Sequence, residues 1–249
     1  MASLIVGNWK MYATSIADAN ILATSIRNYV SHFENTDIVL CPPAMWLIEI
    51  RNIIRKGSKI SLGAQNVFYE KDGAYTGEIS PLMLKDIADY VIVGHSERRE
   101  YFGETNLDVN EKVIAVLKAG LKPIICVGEK KKNNSASQPY KELKEALEGV
   151  PKKYLKDIVV AYEPVWAIGT GENADPEYVA RVLTKLRELE SRNTMMLYGG
   201  SVKSKNIKGY AKRPEINGVL VGGASVRVSE FEKICRSFEE EKAVIFNED

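Results

Sequence analysis

A chain of 249 residues has the length of one eight-fold α/β barrel, although two small domains would also fit. Its 45% hydrophobic and 27% charged residues are ordinary for a globular protein with a full core, which excludes a disordered or fibrous chain. Lys and Arg number 34 against 33 Asp and Glu, so no overall positive field attracts nucleic acid or an anionic membrane.

Eight short apolar runs rich in Val and Ile predict eight strands that are buried on both faces, as in a parallel sheet. In chain order they are residues 4–8, 37–41, 60–65, 90–95, 122–127, 158–163, 195–198 and 218–221. A helical candidate follows each strand. The clearest, with apolar residues recurring every three to four positions, are 15–30, 44–55, 106–119, 176–189 and 229–241.

The alternation of strands and helices indicates a parallel sheet, and eight such units in this length favour closure into a barrel. An open doubly wound sheet is the alternative, but it usually carries a glycine-rich dinucleotide fingerprint after its first strand. The first turn, at residues 7–10, lacks that fingerprint. No linker divides the chain, so residues 1–249 are predicted to form a single-domain (β/α)8 barrel of the α/β class.

The three widely spaced cysteines, Cys41, Cys126 and Cys235, fit reduced thiols better than a disulfide framework and indicate a cytoplasmic compartment. With only His32 and His95 and no Cys-x-x-Cys motif, a zinc or iron site has few ligands, so no catalytic metal is expected. The N-terminal stretch lacks the features of a secretory signal, and no apolar run approaches ~18 residues. Neither secretion nor a membrane span is therefore predicted.

Polar residues occur where several predicted strands end, and such ends meet at one rim of a parallel barrel. The first predicted strand ends at Asn8, with Lys10 just beyond it; the fourth ends at His95 and the sixth at Glu163, while glycine pairs follow the last two. Each of these residues, taken alone, has a structural interpretation. A lone Glu is usually an ion-pair partner, a lone His a hydrogen-bonded structural residue, and Gly-Gly a turn. Together they suggest a base, an electrophile and an anion cradle.

Five stretches of the sequence carry a more specific resemblance. They are GNWKM at 7–11, GHSERR at 94–99, AYEPVWAIGTG at 161–171, YGGSV at 198–202 and GGAS at 222–225. These resemble the signatures of triosephosphate isomerases, in that family's order and from both ends of the chain. Several long motifs at once are stronger evidence than a lone glycine pattern. The resemblance implies a barrel that interconverts dihydroxyacetone phosphate and glyceraldehyde 3-phosphate without a cofactor.

The same resemblance implies a role for each polar residue at the rim. Glu163 is expected to move a proton between neighbouring carbons through an enediolate. A general base contributes only about 10²–10⁴-fold, so preorganised donors must also stabilise the enediolate oxygens. By resemblance, His95 hydrogen-bonds those oxygens, Lys10 adds fixed positive charge and Asn8 positions the substrate. A neutral histidine at a helix N-terminus is a known feature of this family.

Glu97 has two interpretations. It could pair with a neighbouring arginine such as Arg98, or, by resemblance, with Lys10, with a further role in a proton relay. Ser96 is grouped with it as a supporting residue, and both rank below Glu163 and His95.

The phosphate is expected at the loops after strands seven and eight, where such barrels frequently bind it through backbone N–H groups. Ser201, Gly222 and Gly223 are the candidates there, with Gly169 and Gly171 from the segment after strand six. Backbone donors can hold a dianion without extra lysines, so a net charge of +1 is no objection.

Two loops have further roles by resemblance. Residues 164–171 resemble the family's mobile lid, with Trp166 as the packing residue that latches it; a rigid surface turn is the alternative. A lid would exclude water and protect the enediolate from losing its phosphate. The loop containing residues 65–67 and 73–78 enters a neighbouring subunit in the family, which implies a homodimer with Thr76 reaching toward the partner's site.

The sequence also departs from the family pattern. Tyr12 replaces a smaller polar residue, and residues 130–138 lack the usual acidic and arginine-containing segment. Catalysis is expected to survive. The tail, 239–249, runs past the expected final helix and is predicted to pack or fray. Cys126 is predicted to be a buried packing residue and not a nucleophile.

Two other functions remain open. The first is a catalytically silent barrel that acts as a binding protein, which the intact Glu163, His95 and Lys10 argue against. The second is another sugar-phosphate barrel enzyme, such as an isomerase or synthase of amino-acid biosynthesis, because fold does not fix function. Such an enzyme would need a different base and would lack the motif at 161–171.

Overall fold

Eight parallel strands close into a barrel in which successive strands pair and the last pairs with the first. The computed structural model describes residues 3–30, 32–54, 59–132, 135–167, 173–189 and 194–248. The strands are β1 (Ser3–Asn8), β2 (Thr36–Cys41), β3 (Ile60–Ala64), β4 (Tyr90–Val93), β5 (Lys122–Glu129), β6 (Val159–Pro164), β7 (Met195–Tyr198) and β8 (Gly218–Val221). The predicted (β/α)8 barrel is confirmed, and the open doubly wound sheet is excluded.

Helices lie between the strands in the chain. They are α1 (Ile16–Val30), α2 (Leu47–Ile54), α3 (Pro81–Leu84), α4 (Ser96–Tyr101), α5 (Asn106–Lys118), α6 (Ser137–Ala146), α7 (Pro176–Leu186), α8 (Ile207–Ala211) and α9 (Val228–Glu248). Local capping fixes several of their starts. Thr105 and Asp108 form a reciprocal capping box at α5, and Asp175 accepts two N–H bonds at the start of α7.

Both faces of the strands are buried, which explains why they read as continuous apolar runs. In β1, Leu4 and Val6 belong to a cluster that fills the barrel interior, together with residues such as Ile124 of β5. Ile5, between them, belongs to the larger cluster that lies between the strands and the helices. The interior is therefore a packed core, and the space for a ligand lies at the barrel's end.

Some strand ends differ from the prediction. The fourth strand ends at Val93 and not at His95, because Gly94 adopts a φ of +74° that leaves the extended conformation. The third ends at Ala64, one residue early. The fifth continues past the predicted end to Glu129, whose carboxylate is buried. Each difference lies at the rim, where strands turn into loops.

Helix ends differ as well. The segment predicted as one helix at 44–55 begins as a 3-10 helix at Ala44–Trp46 before α2, and Arg55 lies outside the described residues. The helix predicted at 176–189 also finishes as a 3-10 helix, at Arg187–Leu189. The prediction that the last helix ends at 241 was wrong, because α9 runs to Glu248 and takes in nearly all of the tail.

The three cysteines, Cys41, Cys126 and Cys235, are all free and buried. Burial raises the pKa of the Cys126 thiol well above its ordinary value, and the neighbouring Glu163 carboxylate raises it further. A thiol in that position packs and does not attack, as predicted for Cys126. Across the described ranges, none of the helices combines the length and apolar character that crossing a membrane requires.

Candidate active site

A cavity of about 860 Å³ opens at the carboxyl end of the barrel. Its walls include most of the site residues that the sequence predicted: Asn8, Lys10, His95, Ser96, Glu97, Glu163, Ser201, Gly222 and Gly223. They come from the ends of β1, β4, β6, β7 and β8, and so from nearly the whole length of the chain. Closure of the barrel is what brings them together.

His95 is the N-cap of α4, and its side chain is nearly buried, at 9% exposed. Its Nδ1 accepts a hydrogen bond from the Glu97 N–H at 3.2 Å, so the ring proton must sit on Nε2. Nε2 lies 3.1 Å from Glu163 Oε1. The imidazole is thus fixed as a neutral donor that faces the carboxylate.

Glu163 lies near the end of β6 and is only 2% exposed. Its Oε2 accepts a hydrogen bond of 2.7 Å from the Ser96 N–H at the start of α4. Gly128 of β5 lies against its backbone, where a β-carbon would come within 2.1 Å of Glu163 O. The carboxylate is therefore held by two donors, and the backbone of Glu163 lies where only a glycine neighbour permits.

Lys10 has a backbone φ of +50°, a left-handed conformation that is unusual for a residue with a side chain. Its N–H donates to Asn8 Oδ1 at 3.0 Å, and its Nζ lies 2.5 Å from Glu97 Oε1. Glu97 therefore pairs with Lys10, whereas Arg98 pairs with Glu104. The ammonium is held at the cavity wall by a fixed carboxylate.

Glu104 supports the loop that carries His95. Its Oε1 accepts from the Gly94 N–H at 2.9 Å, and its Oε2 lies 2.7 Å from Arg98 Nε and 2.6 Å from Lys112 Nζ. Burial raises the pKa of Glu104, but these two cations outweigh it and the net shift is downward. A buried, ionised carboxylate thus ties β4, α4 and α5 together immediately before His95.

The loops after β7 and β8 present groups that could hold an anion. Within the described residues, the N–H groups of Gly222 and Gly223 donate to no other residue. A β-carbon on Gly222 would lie 3.0 Å from Lys10 Cε, so the lysine side chain passes directly beside that backbone. Ser201 Oγ donates to Ala167 O at 3.0 Å. The predicted Gly169 and Gly171 lie outside the described residues.

Trp166 lies in a 3-10 helix, Val165–Ala167, directly after β6. Its Nε1 donates to Glu129 Oε1 at 3.4 Å, and its ring meets the Tyr178 ring edge-on. The Tyr162 and Tyr178 hydroxyls donate to the same carboxylate oxygen. Burial is the main cause that raises the pKa of Tyr162, and the hydrogen-bonded Glu129 carboxylate raises it further. The start of the predicted lid is therefore anchored on Glu129, while residues 168–171 lie outside the described residues.

Thr76 is exposed in the long loop between β3 and α3, and it is not among the described residues that line the cavity of its own chain. No cluster of three or more His, Cys, Asp and Glu side chains that could hold a metal ion occurs in the described part of the chain. The groups that do converge are a carboxylate, a neutral imidazole, an ammonium and backbone N–H donors, a set suited to moving a proton on an anionic ligand.

Sequence reasoning missed several residues at or behind this cavity, four of which are polar or charged and bear on the predicted site. Lys203 and Arg227 line it and add positive charge to its wall. Glu129 and Gln65 lie behind it and hold the segments that carry Trp166 and Lys10. The position of Gln65 at the end of the third predicted strand was the available signal, but its target could not be deduced from the sequence.

Comparison with known proteins agrees with this geometry. The family model described as Triosephosphate isomerase matches residues 3–238. The chain belongs to the triosephosphate isomerase family. A triosephosphate isomerase of Dehalococcoides mccartyi strain CBDB1 is 47% identical, over 94% of this chain and 95% of its own length. Those of Caldanaerobacter subterraneus subsp. tengcongensis and Aquifex aeolicus are 45% and 44% identical, over 93% and 96% of this chain and 97% and 100% of theirs.

Triosephosphate isomerases interconvert dihydroxyacetone phosphate and glyceraldehyde 3-phosphate, a step of glycolysis. The chain is accordingly an aldose-ketose isomerase with a phosphorylated triose as its substrate. The match extends over nearly the whole barrel, so it does not favour a different sugar-phosphate enzyme or a catalytically silent barrel.

Proposed function

We propose that Glu163 is the catalytic base of this isomerase. It would remove a proton from the carbon beside the carbonyl of dihydroxyacetone phosphate and return it to the neighbouring carbon. The carbonyl and hydroxyl groups then exchange places through an enediolate, and no atom is gained or lost. The observation that carries the proposal is that Glu163 Oε1 lies 3.1 Å from His95 Nε2 at the wall of one cavity. Base and donor are thus within reach of one three-carbon ligand.

His95 and Lys10 are the proposed electrophilic stabilisers. The proton on His95 Nε2 is available to the enediolate oxygens once a substrate oxygen takes the place that Glu163 Oε1 occupies. Lys10 adds a positive charge that the ion pair with Glu97 holds in place. Donors that are already oriented usually make the largest contribution to lowering the barrier. Asn8 would position the substrate, since its side chain fixes the loop of Lys10.

The phosphate would bind at the loops after β7 and β8. The N–H groups of Gly222 and Gly223, which donate to none of the described residues, support this placement, together with the Ser201 hydroxyl on the same cavity wall. Gly169 and Gly171 are proposed to complete the cradle. Backbone donors hold a dianion without added side-chain charge, which suits a chain with a net charge of +1.

We propose that residues 164–171 act as the lid and that Trp166 latches it. The hydrogen bond from Trp166 to Glu129 supports this role. The indole N–H can donate to Glu129 in one position of the lid and to another acceptor in the other, at little cost. Closure would exclude water from the enediolate and so limit the loss of phosphate to a methylglyoxal side reaction. Loss of the latch would therefore raise the yield of side product relative to turnover.

The active form is proposed to be a homodimer in which Thr76 reaches the partner's site. Large apolar side chains are exposed in the loops and short helices that follow β1 to β4, which are neighbours around the barrel: Met11, Tyr12, Met45, Tyr75, Leu82, Met83, Tyr101 and Phe102. Exposed apolar side chains grouped on neighbouring segments of a barrel are typical of an interface between subunits.

We further propose that the protein works in the cytoplasm, without a metal or cofactor and without nucleic acid or membrane as a partner. Proton transfer within one substrate needs no redox or metal chemistry, and the free cysteines support a reducing compartment. Residues 1–249 are proposed to form one domain. Contacts between α9 and the start of β2, through Glu239 and Thr36, support this.

The test is a coupled assay of dihydroxyacetone phosphate conversion with purified, chelator-treated protein. Glu163→Asp keeps a carboxylate but draws it back by about 1 Å, which is expected to lower kcat ~10²-fold. Glu177→Asp, on the exposed face of α7, is the control and should be unchanged. Full turnover in Glu163→Asp would contradict the proposed geometry. Absence of turnover in the unmodified protein would favour the silent barrel.

A further inference from the structure

The side-chain amide of Gln65 joins the ends of three strands. Gln65 directly follows β3, and its Nε2 donates to Lys10 O, just past β1, and to Cys41 O, the last residue of β2, at 2.8 Å each. Two carbonyl oxygens can only be met by the NH₂ end of an amide, so the orientation of the side chain is fixed by its partners. Both amide protons are used.

Lys10 needs such support because its backbone is left-handed, with a φ of +50°. Non-glycine residues persist in that conformation only where the surroundings over-determine it. Asn8 Oδ1 holds the N–H of Lys10 at 3.0 Å, and Gln65 holds its carbonyl. Cys41 O, the second acceptor of Gln65, also receives the Trp9 N–H at 3.0 Å. The loop is therefore fixed on both sides of Lys10.

The direction of the Lys10 side chain follows from that backbone. Its Cε passes beside Gly222, where a β-carbon would lie 3.0 Å away, and its Nζ ends 2.5 Å from Glu97 Oε1. A return of Lys10 to an ordinary φ would swing the Cα–Cβ bond and carry the ammonium away from this path. Gln65 itself is not among the described residues that line the cavity, so it acts without touching the ligand.

We propose that Gln65 is a positioning residue for Lys10: its amide holds the left-handed backbone and thereby places the ammonium at the cavity wall. The inference rests on the proposed role of Lys10. The competing explanation is that Gln65 only holds loops together and has no effect on Lys10. The chain offers a matched side chain of that kind. Asn110 Nδ2 also donates to two backbone carbonyls, those of Ala146 at 3.0 Å and Glu148 at 2.8 Å, far from Lys10 in the fold.

The first experiment compares Gln65→Met with Asn110→Leu. Each removes an amide that donates to two carbonyls while keeping nearly the same side-chain size. Both are expected to lower Tm, but only Gln65→Met should lower kcat/KM for dihydroxyacetone phosphate, by about 10- to 10²-fold, since a 1 Å misplacement can cost ~10²-fold. Equal Tm losses with unchanged kcat/KM in both variants would leave Gln65 a structural tie and overturn the inference.

The second experiment is a double-mutant cycle with Lys10→Met. If Gln65 acts through Lys10, adding Gln65→Met to Lys10→Met should lower kcat/KM no further. Two losses that multiply would show that Gln65 acts elsewhere and would overturn the inference. Full activity in Lys10→Met would refute the proposed role of Lys10 itself, which separates failure of the site assignment from failure of the positioning role.

A third variant guards against a fold that does not tolerate Met at this position. Gln65→Asn keeps a polar amide but is too short to reach both carbonyls, so it should fold and still lose kcat/KM. A crystal structure of that variant provides the direct readout. We expect the φ of Lys10 to leave the left-handed region, and an unchanged φ with unchanged kcat/KM would contradict the proposal.

Discussion

Gly199, the residue after β7, packs directly against the side chain of Glu163. A β-carbon at Gly199 would lie 3.0 Å from Glu163 Cγ and 3.2 Å from Tyr162 O. The Gly199 N–H also donates to Tyr162 O at 2.8 Å, which prevents the loop from moving away. The first glycine of the pair at 199–200 therefore sets how closely the loop after β7 approaches the proposed base.

We expect Gly199→Ala to push Glu163 by a few tenths of an ångström and to lower kcat about tenfold, because a full 1 Å displacement can cost ~10²-fold. Steady-state kinetics with dihydroxyacetone phosphate measure the loss. Gly209→Ala, in α8 and away from the cavity, is the matched control. Its β-carbon would lie at the same distance, 3.0 Å, from Pro176 Cγ. Equal kcat values in the two variants would contradict this reading of the contact.

The barrel itself could be predicted because its strands are buried on both faces. That burial makes the strands read as apolar runs, and the alternation with helices then leaves few topologies. The placement of Glu163 near a strand end followed from the same pattern, whereas His95 lies two residues past the end of β4. The ends of the strands were less predictable, because they depend on backbone angles such as the +74° φ of Gly94, which glycine permits but does not impose.

The supporting contacts of the site could not be predicted, because they join residues that are distant in the sequence. Gln65 reaches a carbonyl 55 positions away, and the Tyr178 hydroxyl reaches a carboxylate 49 positions away. No local periodicity encodes such pairs. The resemblance to the family supplied most of the polar residues at the cavity wall, whereas only the structure revealed the residues that hold them.

Met45 offers a test of the proposed homodimer, since it follows β2 and is 80% exposed. We expect Met45→Glu to place a charge in the subunit interface and to give monomers in analytical ultracentrifugation. If Thr76 contributes to the partner's site, turnover should fall as the dimer dissociates. It should recover in part as the protein concentration rises. Val244→Glu is the control, because Val244 is an exposed apolar residue on α9. A variant that remains dimeric, or a monomer with full turnover, would contradict the proposal.

Glu239 of α9 holds the loop that leads into β2. Its Oε1 accepts from the N–H groups of Glu34 and Asn35 at 3.0 Å each, and its Oε2 accepts from the Thr36 hydroxyl. Glu239→Gln should cost about 1–2 kcal/mol of unfolding free energy, since bonds to a charged acceptor are the stronger ones. Denaturant titration measures the loss. Glu240→Gln, on the exposed neighbour, should change little, and equal effects in the two would refute the contact's importance.

The acid dependence of the same contact gives a second measurement. Burial raises the pKa of Glu239, but the hydrogen bonds from Thr36, Asn35 and Glu34 outweigh it, so the pKa is lowered overall. Its stabilising effect is therefore present above the ordinary carboxyl pKa of about 4.3 and is lost as the pH falls through the folded value. The stability gap between the wild type and Glu239→Gln should close in acid. A gap that stays constant down to the lowest pH would contradict a charged acceptor.

Lys242, farther along α9, is expected to destabilise the protein at neutral pH. It is only 4% exposed, and its Nζ donates to Arg213 O at 2.9 Å. Burial lowers its pKa to about 8, although the nearby Glu215 carboxylate works in the opposite direction. An unfolded lysine has a pKa of about 10.4, so the folded state binds fewer protons between these values. The contribution of Lys242 to the unfolding free energy must then rise as the pH increases from about 8 to about 10.4, and it is lowest below pH 8.

Lys242→Met tests this directly. At about 1.4 kcal/mol per unit of pKa, the buried ammonium lowers the unfolding free energy by roughly 3 kcal/mol below pH 8. Lys242→Met removes this cost but also removes the hydrogen bond to Arg213 O, which contributes about 1 kcal/mol. We expect a net gain of about 2 kcal/mol in unfolding free energy at pH 7, and a flatter stability profile between pH 8 and 10. Lys233→Met, on an exposed position of the same helix, supplies the control. A destabilised Lys242→Met at pH 7, with the wild-type slope retained above pH 8, would show that the buried ammonium is not the source of the cost.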